Sequence, residues 1–317
     1  MQQRPGTLAP VANAPLDPKT QPQRLDQVKA ERQEIREGNT TIIKESNRTI
    51  IQEGGQTIIR HDASDRFRLN AQAVNVQTRG NVTVTAVVQP GGFQIVTETD
   101  VSGRMLRRIR RDAGGREVIL IDNSFEPRGP GIAGFVLDLR PPVVRIAPQL
   151  YIRDVAGASF ADISLTLMAP PVMAIERRYS LDEILYNEPL RARMPRIDID
   201  TVNFETGSWE ISPDQADRLA FVAQGVMAAI KRNPGEMFLV EGYTDAVGND
   251  VDNLSLSDHR AESVAVMLTS QFGVPAENLT TQGYGKQYLK VPTPGPERAN
   301  RRVAVRRITP LLNGGQS

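Results

Sequence analysis

The sequence predicts an α+β protein: an antiparallel β-meander followed by a β-α-β-α-β-β domain whose sheet is covered by two helices. Three observations carry this. A Thr-Ile-Ile triplet recurs with a period of eight, at 41–43, 49–51 and 57–59. Further β-rich segments with Gly-containing turns run on to about Asp122. From Arg196, β-rich segments alternate with amphipathic helical stripes. At roughly 150 residues per domain, a chain of 317 residues holds about two domains and their linkers.

Composition narrows the function. Apolar residues make up 39% and charged residues 24%, enough to bury a core. A net charge of +1 gives no reason to expect a general polyanion binder. There is no cysteine, and the two histidines are His61 and His259. This removes disulfides, thiolate catalysis, lipid attachment to cysteine and zinc sites built from several Cys or His ligands. Ser-His-Asp chemistry would have to pass through one of two histidines. The expectation is a protein that is not an enzyme, with no cofactor and no metal.

Residues 1–24, rich in Pro and Gln, have no apolar h-region and no periodicity, so a disordered leader is expected. The apolar run near 165–175 is broken by Pro170 and Pro171 and is too short to cross a bilayer. The chain therefore reads as soluble, with any export signal or anchor upstream of Met1. Residues 25–38 form a short charged helix or linker, with Leu25, Val28 and Ile35 as apolar points.

Residues 39–140 read as one β-meander domain of six to eight strands. Between the triplets lie Ser46-Asn47 and Gly54-Gly55, pairs that tolerate the positive φ of two-residue hairpin turns. Strands follow over 82–89, 93–99, 104–111 and 117–121. Arg104, Arg107, Arg108, Arg110, Arg111 and Arg116 crowd one hairpin, where alternation is imperfect. They could form a polyanion-binding stripe or a solvated, charged face that keeps edges from pairing. No aromatic residues interleave as a single-strand platform needs, so the solvated face and no nucleic-acid partner are expected.

Residues 141–195, after a Pro-rich passage, read as a neck with two short helices. One spans 159–168; the other has Ser180 as N-cap and Glu183 at N3, a capping box, and must stop near Pro189.

The C-terminal domain, 196–310, begins with a strand over 197–204. Ser212-Pro213 starts a helix reaching about Arg232, with Leu219, Val222, Val226 and Ile230 on one stripe. A strand over 237–243 follows. Ser257 caps a second helix with Ala261, Val264, Ala265 and Leu268 inward, and Gly273 stops it. Strands over 279–282 and 302–308 and a tail, 311–317, complete the chain.

The C-terminal domain resembles that of the OmpA family, shared with Pal lipoproteins and MotB stators. The matching pieces are Val202-Asn203-Phe204, Gly207-Ser208, Glu241-Gly242-Tyr243-Thr244-Asp245, Gly248, Asn253, Leu256-Ser257, Arg260-Ala261, Gly283-Tyr284-Gly285 and Asn300-Arg301-Arg302-Val303, in family order and spacing. The meander and neck resemble those of large OmpA-family proteins of alpha-proteobacteria. The resemblance implies a mixed sheet and a noncatalytic domain that binds peptidoglycan through the diaminopimelate of its stem peptide, with Asp245 and Arg260 reading the ligand. Asn253, Thr244, Ser257, Arg301 and Arg302 are auxiliary candidates. Strand alternation sends Arg301 and Arg302 to opposite faces, so one of them at most approaches the site.

The chemistry of that pair is coherent. The free end of meso-diaminopimelate carries an ammonium and a carboxylate on one carbon, so its receptor needs an anion and a cation a few ångströms apart. Asp245 follows a strand directly. Arg260 is expected in the first turn of a helix, where a positive side chain opposes the macrodipole unless an anion is bound. The competing reading is a plain Asp245–Arg260 ion pair. Three positions depart from the family pattern: Tyr243 replaces a histidine, His259 stands where arginine or glutamine is common and reads as exposed, and Gly207 replaces an asparagine of some members.

Other constellations fail. Asp250, Asp252 and Asp258 do not make an EF-hand, because Ser255 stands where its sixth-position glycine belongs. Gly283-Tyr284-Gly285 lacks the third glycine of a dinucleotide fingerprint. Asp198 and Asp200, two apart on one strand, read as solvent-facing rather than as glycosidase acids. The expectation is a periplasmic protein, associated with the cell wall or outer membrane, that binds peptidoglycan and has no membrane-spanning segment. With no barrel pattern, outer-membrane attachment would come from an upstream segment or a partner. The alternative is a scaffold or secretion-associated protein whose meander engages envelope protein partners, with wall binding only an anchor.

Overall fold

β-Branched triplets spaced by eight leave two residues for each turn, and the chain folds accordingly. The computed structural model describes residues 21–69, 71–101, 103–125, 132–199, 202, 204–212, 215 and 217–315. Two compact units are formed, one from 22–62 with 129–317 and one centred on 63–128. The expected leader, residues 1–24, lies outside the described residues up to 20.

The larger unit opens with helix α1 (Leu25–Ala30) and four antiparallel strands, β1 (Gln33–Glu37), β2 (Thr40–Glu45), β3 (Arg48–Glu53) and β4 (Gln56–His61), in sequential order. Only the first half of 25–38 is helical. Ile35 pairs opposite Ile42, which draws 33–37 into the sheet. Pairing Ile43 with Ile50 and Ile50 with Ile59 turns one isoleucine of each triplet to a common face. These three pack on Leu254 and Val251.

The smaller unit contains helix α2 (Ser64–Arg68) and an antiparallel sheet of β5 (Ala73–Arg79), β6 (Val82–Val88), β7 (Gln94–Asp100), β8 (Met105–Arg111) and β9 (Glu117–Asp122), again in sequential order. The single meander expected over 39–140 is therefore two sheets in two units. The break falls at α2, whose Phe67 is buried. The arginine hairpin is only partly the solvated face expected. Arg111 pairs with Glu117, and Arg116 with Asp112. Arg108, however, is buried with its guanidinium 4.9 Å from the Phe67 ring centroid. Register with β9 shifts between Arg108 and Ile109, both buried, which accounts for the imperfect alternation.

The larger unit resumes with α3 (Pro148–Tyr151), β10 (Ile152–Asp154), α4 (Phe160–Met168), α5 (Leu181–Tyr186), α6 (Glu188–Arg191), β11 (Arg196–Ile199), α7 (Ala220–Arg232), β12 (Phe238–Gly242), α8 (Asp250–Phe272), β13 (Leu279–Gly283), β14 (Val303–Arg307) and α9 (Thr309–Leu312). Its sheet has the order β10-β11-β14-β12-β13. β10 is parallel to β11 and β12 to β13, while β14 runs antiparallel to both neighbours. This is the mixed α+β sheet expected. Its core joins Ile197, Phe238, Val240 and Val305 of the sheet to Val222 and Val226 of α7 and Val264 and Leu268 of α8.

The neck is not a separate module. The expected capping box forms at Ser180/Glu183, and the helix over 159–168 has a second one at Ser159/Asp162. Yet β10 extends the sheet, and Ile163 and Leu167 of α4 enter the same core. Gly225 of α7 makes room for them, since a Cβ there would lie 3.1 Å from Leu167 and 3.2 Å from Ile163. Across the sheet, Glu241 accepts from Arg191 at 3.0 Å and Arg306 at 3.1 Å. Burial opposes its charge, but Arg306 and Arg191 outweigh burial and hold the carboxyl below its usual range.

Three boundaries differ from those expected. The first strand of 196–310 ends at Ile199, with 200, 201 and 203 outside the described residues. Pro213 is also outside them, and α7 starts at Ala220 after a 3-10 turn, Asp217–Leu219. Helix α8 starts at Asp250, capped by Asn249 rather than Ser257. Its first two turns lie under the triplet sheet, so their inward residues include polar ones that the sequence stripe does not register.

Candidate functional site

Asp245 leaves β12 three residues past the strand end and is largely buried. Its Oδ1 accepts from the Val247 backbone N–H at 3.2 Å, and its Oδ2 accepts from Arg301 at 2.6 Å. The simple Asp245–Arg260 pair is thus replaced by Asp245–Arg301, with the Arg301 side chain 42% exposed.

Arg260 is in the middle of α8, not in its first turn, so the macrodipole reasoning does not apply there. It is 5% exposed. Its Nε donates to the Ser208 carbonyl at 3.1 Å and Nη2 to the Glu205 carbonyl at 3.3 Å, and the guanidinium lies 4.9 Å from the Phe204 ring centroid. No carboxylate lies within ion-pair distance among the described residues. Burial and then the Arg301 charge pull its pKa down to about 10, against the opposing pull of Asp245. The two residues are thus electrostatic neighbours without being a pair.

The auxiliary candidates divide. Asn253 donates from Nδ2 to the Val247 carbonyl at 2.9 Å, closing the loop that also binds Asp245. Ser257 donates to the Leu254 carbonyl and accepts from the Gly285 N–H, both loop and helix support. The Thr244 hydroxyl is buried with no hydrogen-bond partner among the described residues. Arg302 turns the other way, 3.8 Å from the Tyr243 ring centroid and 3.9 Å from Asp198. Only Arg301 of the two reaches Asp245.

Two sequence expectations, on His259 and Asp198, are corrected. His259 is buried, not exposed, and stacks on Trp209 with ring centroids 3.8 Å apart. Asp198 is buried between Arg196 and Lys290, not solvent-facing; Asp200 is outside the described residues. Asp250, Asp252 and Asp258 engage Lys286, Lys29 with Arg32, and Arg48 respectively. The sequence reading missed the Glu205 and Ser208 carbonyls, which no side-chain motif announces. It also missed His61, whose Nδ1 is 3.1 Å from Asp258 Oδ2 and whose Nε2 is 2.8 Å from Thr281 Oγ1.

A sheet with these helices, and these residues gathered at the end of β12, define a domain of the OmpA family: residues 203–302 match that family and carry such a domain. The similar proteins are envelope proteins by name. The chain is 36% identical over 104 residues to the probable lipoprotein YiaD of Escherichia coli, covering 33% of this chain and 41% of that protein. It is 33% identical over 97 residues to the outer-membrane lipoprotein YfiB of Pseudomonas aeruginosa, covering 30% of this chain and 55% of that protein. The match therefore spans only about half or less of these relatives. Among solved structures, the peptidoglycan-associated lipoprotein from Burkholderia pseudomallei is 28% identical, covering 33% of this chain and 86% of that one, with a TM-score of 0.28. No helix among the described residues is long and apolar enough to cross a membrane.

Proposed function

We propose that the C-terminal domain binds peptidoglycan noncovalently through diaminopimelate and so anchors an envelope protein to the cell wall in the periplasm. The observation that carries this is Arg260: a buried guanidinium held by two carbonyls and a ring, with no carboxylate within ion-pair distance among the described residues. A buried charge without a counter-ion is costly, and an incoming carboxylate relieves that cost. Asp245 supplies the matching anion. Each of its oxygens accepts one hydrogen bond and retains a lone pair for a ligand ammonium. Asp245, Arg260 and Arg301 together sum to one positive charge, so the carboxylate end of the zwitterion is gripped more firmly than its ammonium. The name of the Burkholderia protein agrees with this reading.

Co-sedimentation of the full chain with diaminopimelate-type sacculi tests it, beside Asp245→Ala and Arg260→Ala shown folded by circular dichroism. Loss of a charge-assisted hydrogen bond costs about 1.5–3 kcal/mol, so each variant should bind roughly 10- to 150-fold more weakly. A folded wild type that stays in the supernatant sinks the reading.

A scaffold function is the second reading, favoured by the separateness of the 63–128 unit and by its exposed Ile119. If this unit recruits partners, substituting Ile119→Lys should leave sacculus binding intact and abolish co-purification of envelope proteins. Unchanged co-purification would count against it.

A further inference from the structure

We infer that the segment 22–32 is a strap that positions Arg260, acting through the loop 204–209 and so setting the affinity of the site; this rests on reading Arg260 as the carboxylate receptor. Both hydrogen-bond acceptors of Arg260 are backbone carbonyls of that loop, Glu205 and Ser208. The loop belongs to no helix and no strand of the sheet, and it is hydrogen-bonded to residues 185 and 187 positions away in the chain. Arg24 and Ser208 form an antiparallel bridge. The Leu25 N–H donates to the Gly207 carbonyl at 2.8 Å, and the Trp209 N–H donates to the Gln23 carbonyl at 3.3 Å. Trp209 Nε1 donates to the Pro22 carbonyl at 3.0 Å, and Ser208 Oγ to the Gln23 carbonyl at 3.2 Å.

The strap is in turn fastened to α8, the helix that carries Arg260. Val28 and Leu25 pack with Trp209 and Leu256. Asp252 binds Lys29 and Arg32, each at 2.8 Å. Trp209 stacks on His259, the neighbour of Arg260. The strap thus joins the loop that orients the guanidinium to the helix that bears it. Released, the two carbonyls would be free to turn toward water, and the guanidinium would lose the direction in which it meets a ligand.

The experiment uses the full chain with Val28→Asp, which places a charge among Trp209, Leu256 and Leu25. Trp209 is the single tryptophan of the chain, so its emission reports undocking directly. Two further readouts follow: the NMR signal and hydrogen exchange of the Arg260 Nε–H, taken without ligand, and affinity for a soluble muropeptide containing meso-diaminopimelate. The expected result is red-shifted tryptophan emission, an Arg260 Nε–H that moves and exchanges at least tenfold faster, and at least tenfold weaker binding. Val28→Ile should restore all three. Red-shifted emission with an unchanged Nε–H signal and affinity within twofold of wild type overturns the strap. If Val28→Asp does not fold, the double variant Lys29→Ala/Arg32→Ala is read by the same criteria, with about threefold effects expected. Wild type that fails to bind muropeptide refutes the ligand reading alone; the ligand-free Nε–H signal still decides the strap.

Discussion

His259 and Trp209 lie with ring planes 8° apart, and burial holds the imidazole well below its ordinary pKa of 6.5. The folded state therefore keeps His259 neutral while the unfolded chain takes up a proton, so stability falls as pH drops below about 6.5. The slope should approach about 1.4 kcal/mol per pH unit. His259→Phe keeps the stack and should flatten the stability curve in that range, measured by urea unfolding at stepped pH; an unchanged slope refutes it. Asp258 behaves in the opposite chemical sense. Burial opposes its charge, but His61 and Arg48 outweigh burial and hold the carboxyl far below 3.8. Its contribution is complete above pH 3.8 and is lost as pH falls toward the folded value. Asp258→Asn leaves Arg48, bound at 2.8 Å, buried without its counter-ion. The expected cost is about 3–5 kcal/mol, read from denaturant unfolding near neutral pH; a loss under 1 kcal/mol would contradict the pairing.

At the scale of elements, α8 is seated on the sheet through two glycines. A Cβ at Gly242 would come 1.9 Å from the Ser257 carbonyl oxygen, and one at Gly283 would come 2.4 Å from the Asp258 backbone nitrogen. Both obstacles are backbone, so no side chain can step aside. Gly242→Ala should therefore destabilise at or beyond the top of the about 1–3 kcal/mol range for overpacking. It should also displace the helix that carries Asn253, Ser257 and Arg260. Thermal melts together with sacculus binding would reveal both losses, and a wild-type melting temperature would exclude this close approach.

For the whole molecule, the functional domain is larger than its family motif. Ile163 and Leu167 of α4 complete the core, and the triplet sheet covers the start of α8. Each such side chain contributes roughly 1.5–3 kcal/mol by burial, against a total stability of about 5–15 kcal/mol. A fragment of residues 190–317 should accordingly be marginal, with a lower melting temperature and greater protease sensitivity than the full chain. Equal resistance of the two to proteolysis would show the upstream segments to be dispensable.

The sequence by itself determined what is local. Period-eight triplets with two-residue turns set the hairpins, Ser180 announced its capping box, and Gly273, at φ 71°, ended α8 where expected. The ordered motifs of the C-terminal domain singled out Asp245 and Arg260 through their family resemblance, and the fold makes the two electrostatic neighbours. Tertiary structure alone decided what those residues touch. Helix α8 begins seven residues before Ser257 because a second sheet buries its first turns, and no single-helix periodicity contains that partner. Arg301 rather than Arg260 pairs with Asp245, and the acceptors of Arg260 are carbonyls, which every residue possesses and no motif distinguishes. The split of the meander and the absorption of the neck likewise depend on contacts between segments far apart in the chain, where local pattern carries no information.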